Sequence, residues 1–298
     1  MILIITYILA MKNRQCVCCN KKKLKKLFSI TSPYLDRKEK YVIYICDYCG
    51  HGFADGKKDS KFIKKIYSSN FFSNKQQSIK NKNSPIIFNS TLRAKKISSE
   101  ISGNLLDIGA GNGAFLRAAN FFFCAEGVEL SNIACKKARS IGCKVYKGDF
   151  LSLQLKNKKY NVVTLWDVLA SFDRPDIVLK KCNLLLKKGG KIFMTVPMID
   201  SFAAKLFKSY WPLLIPPVNL NYFSKKGIIS LARKNGFSYV SCKYYSKKIS
   251  LQFLAIKACR SLKLQFLEFI FSKLFPTWNI NLNTYDIATV VLEKKNKI

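Results

Sequence analysis

NLLDIGAGNGAFL, residues 104–116, decides the fold: an apolar run ends in an acid and passes directly into a glycine-spaced turn. Leu105, Leu106 and Ile108 suit a parallel strand buried on both faces, with Asp107 near its carboxyl end. Gly109, Gly111 and Gly113 let the backbone turn sharply and approach a ligand closely. Gly109-x-Gly111-x-x-Ala114 also satisfies the looser dinucleotide fingerprint, so the glycines alone mark only a nucleotide-cofactor pocket. The acid discriminates. A carboxylate beside the turn repels a pyrophosphate and attracts a ligand that carries sulfonium and ammonium charges.

Further blocks follow in order. AEGVELS (125–131) reads as a second strand ending in Glu129, whose carboxylate is suited to accept both hydroxyl protons of a ribose. KGDF (147–150) closes the next unit, with Asp149 placed to accept a bond from an adenine amino group and Phe150 to pack on the ring. YNVVTLWDVL (160–169) is an apolar strand opening onto Trp166 and Asp167. DRPDIVLKKCNLLLKKGGKIFMTVP (173–197) gives a helix with Val178, Cys182, Leu185 and Leu186 on one face, a Gly189-Gly190 stop and another strand. With 17 acidic against 52 basic residues, acids on three consecutive strand ends are not expected by chance.

In this order the blocks resemble those of the class I S-adenosylmethionine-dependent methyltransferases, nearest to the small-molecule branch related to ubiquinone-biosynthesis and sugar-modifying enzymes. The resemblance covers roughly residues 85–294. It implies an α/β fold, a doubly wound Rossmann-like sheet of seven strands. FSKKGIISLARKNGFSYV (223–240), a capped helix and a strand, and TYDIATVVLEKK (284–295) supply the last two strands, the final one antiparallel. The resemblance also implies S-adenosylmethionine as cofactor. Asp107, Gly109, Gly111 and Gly113 would contact its methionine end, Glu129 the ribose, and Asp149 with Phe150 the adenine. Trp166 and Asp167 would line the floor near the methyl group.

In the resembled branch, histidine occurs after the fourth strand and again just before the helix that starts with Phe-Ser. Here Ser171 and Asn219 stand at those positions, so no catalytic residue is assigned. Tyr210, Trp211, Asn219, Asn221 and Tyr222 are candidates to line an acceptor pocket. The implied reaction is methyl transfer to a small hydroxylated metabolite such as a nucleotide sugar or polysaccharide precursor. The alternatives are an RNA methyltransferase and a catalytically inactive cofactor-binding assembly protein.

A chain of 298 residues with 49% hydrophobic content supports one large domain with or without an appendage, and excludes disorder as the main state. The formal charge of +35 comes mostly from Lys strewn as doublets such as Lys57-Lys58, Lys136-Lys137 and Lys225-Lys226. Arg, the better reader of phosphate and bases, is scarce, so no specific nucleic-acid partner is expected. The opening MILIITYILA lacks a basic start and is too short to span a bilayer. The reading therefore places the native start at Met11, residues 1–10 outside it, and the protein in the cytosol.

Eleven cysteines in a reducing compartment are thiols or metal ligands. Cys16-x-x-Cys19 and Cys46-x-x-Cys49, the second pair ending the strand-like KYVIYICDYCGH (40–51), fit one tetrahedral structural Zn site. Cys18 offers a competing Cys16-x-Cys18 pair, which the spacing and the turn-favouring Asn20 disfavour. Such a zinc-ribbon-like segment is similar to those preceding several methyltransferases that act on sugars. His51, the sole histidine, reads as a ribbon surface residue. The domain reading is a ribbon-like segment at 1–54, a connector at 55–84 and the methyltransferase domain at 85–298. Within the last, a Phe- and Leu-rich helical cover at 246–277 is a candidate for membrane-surface contact.

Overall fold

The computed structural model describes residues 15–32, 39–56, 84–155, 159–261, 264–267, 270, 274 and 278–295. The segment expected to precede the native start, nearly all of the expected connector, and parts of the 246–277 cover lie outside the described residues.

Three strands come first, β1 (Leu24–Thr31), β2 (Lys40–Cys46) and β3 (Gly52–Asp55). The domain then alternates: α1 (Pro85–Ser98), β4 (Gly103–Ile108), α2 (Ala114–Ala119), β5 (Phe123–Glu129), α3 (Asn132–Ser140), β6 (Val145–Lys147), β7 (Tyr160–Leu165), α4 (Pro175–Leu185) and β8 (Leu186–Pro197). After β8 come α5 (Phe202–Phe207), β9 (Asn221–Tyr222), α6 (Lys225–Lys234), β10 (Phe237–Lys243), β11 (Lys247–Ser250), α7 (Leu251–Ser261), β12 (Asn279–Leu282) and β13 (Ile287–Lys294).

Seven strands form one sheet in the order β10-β13-β8-β7-β4-β5-β6. β4 through β8 run parallel, and β13 is antiparallel to both of its neighbours, as expected. Successive residues of a strand point to opposite faces, so each face has its own core. Leu105, Val162 and Phe193 pack with Ala94 and Ile97 of α1, Leu116 of α2 and Cys135 of α3. Leu106 and Val163 pack on the other side with Val178 and Leu179 of α4 and Ile228 and Leu231 of α6. Strand order reverses between β4 and β7, which opens a crevice at their carboxyl ends.

The helix expected to carry Leu186 ends one residue earlier. Leu186 is not on the inner face of α4 but begins β8, and Gly189-Gly190 lie inside that strand. Tyr160 pairs with Leu186 and Val162 with Lys191, so the extra residues bulge out, with Gly189 at φ +68° absorbing the turn.

The cysteine segment forms an antiparallel sheet, β1-β2-β3, that continues into β9 of the domain. Gly52 pairs with Tyr222 and Phe53 with Asn221. A Cβ on Gly52 would lie 2.4 Å from Ile199 Cδ1, so only glycine fits there without a shift. The residue after each cysteine pair, Asn20 (φ +59°) and Gly50 (φ +71°), takes the left-handed conformation that closes a knuckle. Asn20 N donates to Cys16 O and Gly50 N to Cys46 O, both at 2.8 Å. These turns bring the sulfurs of Cys16, Cys19, Cys46 and Cys49 within 4.8 Å of one another, with Cys16–Cys49 and Cys19–Cys46 at 3.6 Å. Zn–S bonds of about 2.3 Å set sulfurs about 3.8 Å apart in a tetrahedron, so the set fits zinc, and Cys18 stays outside it.

His51, expected at the ribbon surface, lies inside instead. It is fully buried, with Nε2 3.0 Å from Asn221 Oδ1 and its ring 5.1 Å from that of Phe223. The β3–β9 pairing is the cause, because it lays residues 221–223 over the ring. Ser224 Oγ donates to Cys49 O, and Lys234 Nζ donates to Val17 O (3.1 Å) and Asn20 Oδ1 (2.7 Å), tying both knuckles to α6. Among the described residues no helix is long and apolar enough to cross a membrane.

Because the knuckles share a core and hydrogen bonds with the sheet, one zinc per chain is expected by elemental analysis of protein purified without chelator. Cys46→Ser should abolish that content and lower the midpoint of thermal unfolding for the whole protein, since metal-binding energy is folding energy. A metal content that Cys46→Ser leaves untouched would remove the site.

Candidate active site

The glycine turn between β4 and α2 is built by three different demands. Gly109 (φ +75°) faces Val168, whose Cγ2 would stand 2.5 Å from an added Cβ. Gly113 (φ +84°) sits against α3, where Ala138 Cβ would be 2.9 Å away. Gly111 (φ +55°) turns its N–H inward to donate to Glu129 Oε2 at 2.8 Å. The turn is thus pinned to the end of β5 by a carboxylate.

Asp107 and Glu129 are both buried. Thr164 Oγ1 of β7 donates to Asp107 Oδ1 at 2.7 Å, and Ser131 N donates to Glu129 Oε1 at 2.7 Å. Burial pushes the Asp107 carboxyl up to about 7, against the Thr164 bond and the Arg93 charge, which pull it down. Glu129 is likewise raised by burial, against the amides of Ser131 and Gly111. Two carboxylate oxygens offer about four acceptor positions, so capacity for a ligand remains at each.

Beyond β7, Asp167 takes φ +61°, a conformation uncommon for a non-glycine residue. Thr195 of β8 holds it twice: the Asp167 N–H donates to Thr195 Oγ1 and that hydroxyl donates to Asp167 Oδ1, both at 2.8 Å. The Asp167 side chain is 57% exposed, and its Oδ2 lies 4.0 Å from Arg93 Nη2. The Arg93 guanidinium covers the Trp166 ring at 4.3 Å, and Phe115 meets that ring edge-on at 5.3 Å. Trp166 Nε1 is buried and has no partner among the described residues. An orphaned donor, a cation and two carboxylates at one strand-end crevice suit a zwitterionic ligand such as the methionine part of S-adenosylmethionine.

At the far side, Asp149 is exposed, with Oδ1 accepting from Leu151 N at 2.9 Å. Phe150 is buried, and Lys181 Nζ sits 5.0 Å from its ring centre. The same ammonium donates to the carbonyls of Phe150 (2.6 Å), Leu151 (3.1 Å) and Leu153 (2.6 Å), fixing the turn from α4.

Of the five residues expected to line an acceptor pocket, Trp211, Asn221 and Tyr222 are buried instead against the ribbon. Asn221 Nδ2 donates to Phe172 O (2.6 Å), Trp211 Nε1 to Asp286 Oδ2 (2.9 Å), and Asn219 Nδ2 to Leu213 O (3.1 Å). Only Tyr210 of the five is exposed.

Arg93, Thr164, Thr195 and Lys181 belong to the site and were not singled out from the sequence. Arg offered a signal. In a chain so rich in Lys, Arg93 stands over Trp166, Arg139 donates to Val145 O, and Arg174 forks onto Asp176, so the rare guanidinium marks fixed geometry.

A methyltransferase domain family model matches residues 76–242, more than half of the chain. A curated relative, the uncharacterized protein MJ1123 of Methanocaldococcus jannaschii, is 27% identical over 155 residues, 52% of this chain and 74% of that one. Among solved structures, the YcgJ protein of Bacillus subtilis is similar with a TM-score of 0.54 at 14% identity, covering 70% of this chain and 100% of its own. Magnesium protoporphyrin IX methyltransferase of Synechocystis PCC 6803, with bound S-adenosylhomocysteine, gives 0.53 at 13% identity, covering 80% and 100%. The structures speak for the fold and the family model for membership: the chain belongs to the methyltransferase domain family and is a class I S-adenosylmethionine-dependent methyltransferase.

Proposed function

We propose that the chain methylates a small hydroxylated metabolite, such as a nucleotide sugar or polysaccharide precursor, in the cytosol. The observation that carries this reading is Asp167: an exposed carboxylate, held in a left-handed backbone by Thr195, beside the crevice where the cofactor strands end. Residues held in sparsely populated conformations cluster at functional sites, and a fixed carboxylate is suited to orient a hydroxyl. The four-thiolate ribbon supports a reducing compartment.

In this reading Asp107 takes the ammonium of the cofactor, while Arg93 and Trp166 Nε1 face its carboxylate. Glu129 accepts the ribose hydroxyls, Asp149 accepts the adenine amino group, and Phe150 backs the ring. Bound there, the sulfonium supplies an electrophilic methyl group. The chain's own task is then alignment and exclusion of water. Asp167 accepts a hydrogen bond from the acceptor hydroxyl, takes up its proton as the oxygen is alkylated, and stands in for the absent histidines at Ser171 and Asn219.

Three outcomes are expected. Labelled S-adenosylmethionine, incubated with extracts split into RNA, lipid and soluble metabolites, should mark saccharide-bearing molecules; label confined to RNA would replace this reading with the RNA alternative. In calorimetry the protein should bind S-adenosylmethionine and not NAD, and Gly111→Val should abolish binding, because a β-branched residue is strained at φ +55°. Unchanged affinity in that variant would mean the turn never meets the ligand.

The third outcome concerns pH. With the Asp107 carboxyl at about 7 in the free protein, a cationic ligand must select the ionised form. Cofactor affinity should therefore fall up to about tenfold per pH unit below 7 and level off above it. Titrations across that range check the sign, and the dependence should vanish in Asp107→Asn.

A further inference from the structure

Between β8 and β9 the chain leaves the carboxyl end of the sheet and forms α5 and a 3-10 turn, Lys208–Tyr210. Ser201 Oγ caps the helix by accepting from Ala204 N at 3.1 Å, and Ala204 and Trp211 are buried with Tyr41, Ile43 and Tyr222 of the ribbon sheet. That anchorage fixes what faces outward. Phe202 is 77% exposed, Leu206 59%, Phe207 50% and Tyr210 54%. Lys205 and Lys208 lie among them and are exposed. Single exposed apolar side chains are ordinary, but four large ones on one short anchored stretch are not.

Charge says what covers them. No Asp or Glu occurs between Asp200 and Glu268, whereas twelve Lys and Arg do. Lys225, whose N–H donates to Asp200 Oδ2 at 3.0 Å, stands beside the start of the same helix. A second copy of this chain would bring a further formal charge of +35 against Lys205 and Lys208. A nucleic acid would favour stacking aromatics interleaved with Arg, and residues 202–210 hold no Arg. Large apolar tips with Lys between them match a bilayer interface, where tips enter below the headgroups and ammonium groups meet anionic phosphates.

We propose that residues 202–210 dock the protein on an anionic lipid surface. Phe202, Leu206 and Phe207 insert, Tyr210 sits at headgroup level, and Lys205 and Lys208 bind phosphate. Because this segment emerges from the carboxyl end of β8, docking turns the cofactor crevice toward the bilayer, where a lipid-anchored acceptor would meet it. The inference goes beyond the transfer reading and does not depend on it. It also differs from contact through 246–277, where Leu251, Leu254 and Ile256 of α7 are already half-buried.

Flotation of the full chain with phosphatidylcholine vesicles, with and without phosphatidylserine, tests it. Binding is expected only with phosphatidylserine, and it should weaken as salt is added. The double variant Phe202→Ser, Phe207→Ser should lower the partition coefficient at least about tenfold, and Lys205→Glu, Lys208→Glu should lower it by a similar factor. All four side chains are exposed, so the unfolding midpoint should stay at the parent value. Absence of binding to the anionic vesicles overturns the proposal, as does binding that the Phe pair does not affect. Self-association lost in the Phe pair, without vesicle binding, would assign the face to a second copy of the chain and overturn it equally.

Discussion

Two carboxylates buried at the ends of neighbouring strands, Asp107 and Glu129, impose the constraint on which the site depends. An ionised group taken out of water must be given donors, or it neutralises. Asp107 obtains one from Thr164, which fixes how β7 lies against β4 at the point where strand order reverses. Glu129 obtains backbone amides from Gly111 and Ser131, which fixes the glycine turn and the start of α3 together. The turn is therefore shaped before any ligand arrives, and the acids that shape it keep lone pairs to spare. Pre-organisation of this kind lowers the cost of ordering a flexible zwitterionic ligand.

The fold was legible because its signals are local. The alternation of apolar runs with Gly109, Gly111 and Gly113, and the acids at strand ends, each speak within one unit of chain. The cysteine pairs were legible for the same reason, and Asn20 and Gly50 carry the left-handed turns that such knuckles need. What the sequence hid is long-range. Lys181 reaches the turn at Phe150 from a helix, and Thr195 reaches Asp167 from another strand, through contacts that no periodicity announces. His51 was misread because its burial depends on Asn221 and Phe223, residues that only the folded topology brings near.

The ribbon and the site share a wall. Asn221 Oδ1 accepts from His51 Nε2 while its Nδ2 donates to Phe172 O, bridging the cysteine segment to the loop that follows β7. Leu220 adds two main-chain bonds, its N–H donating to Ala170 O (2.7 Å) and its carbonyl accepting from Ala54 N (2.9 Å). Here the four-cysteine module holds Leu220 and Asn221 from the far side through Ala54 and His51, so its integrity bears on the geometry of that loop.

The pairing of β3 with β9 has a consequence for how the chain is made. Synthesis runs from the N-terminus, so the cysteine segment leaves the ribosome long before residues 221–222 exist to pair with it. Through that interval β3 is an open sheet edge that carries Phe53, the kind of template on which foreign strands add. Its brevity, four residues beginning with a glycine, limits how much pairing a stray strand could gain. Until β9 is made to pair with it, the nascent ribbon therefore exposes only a short edge.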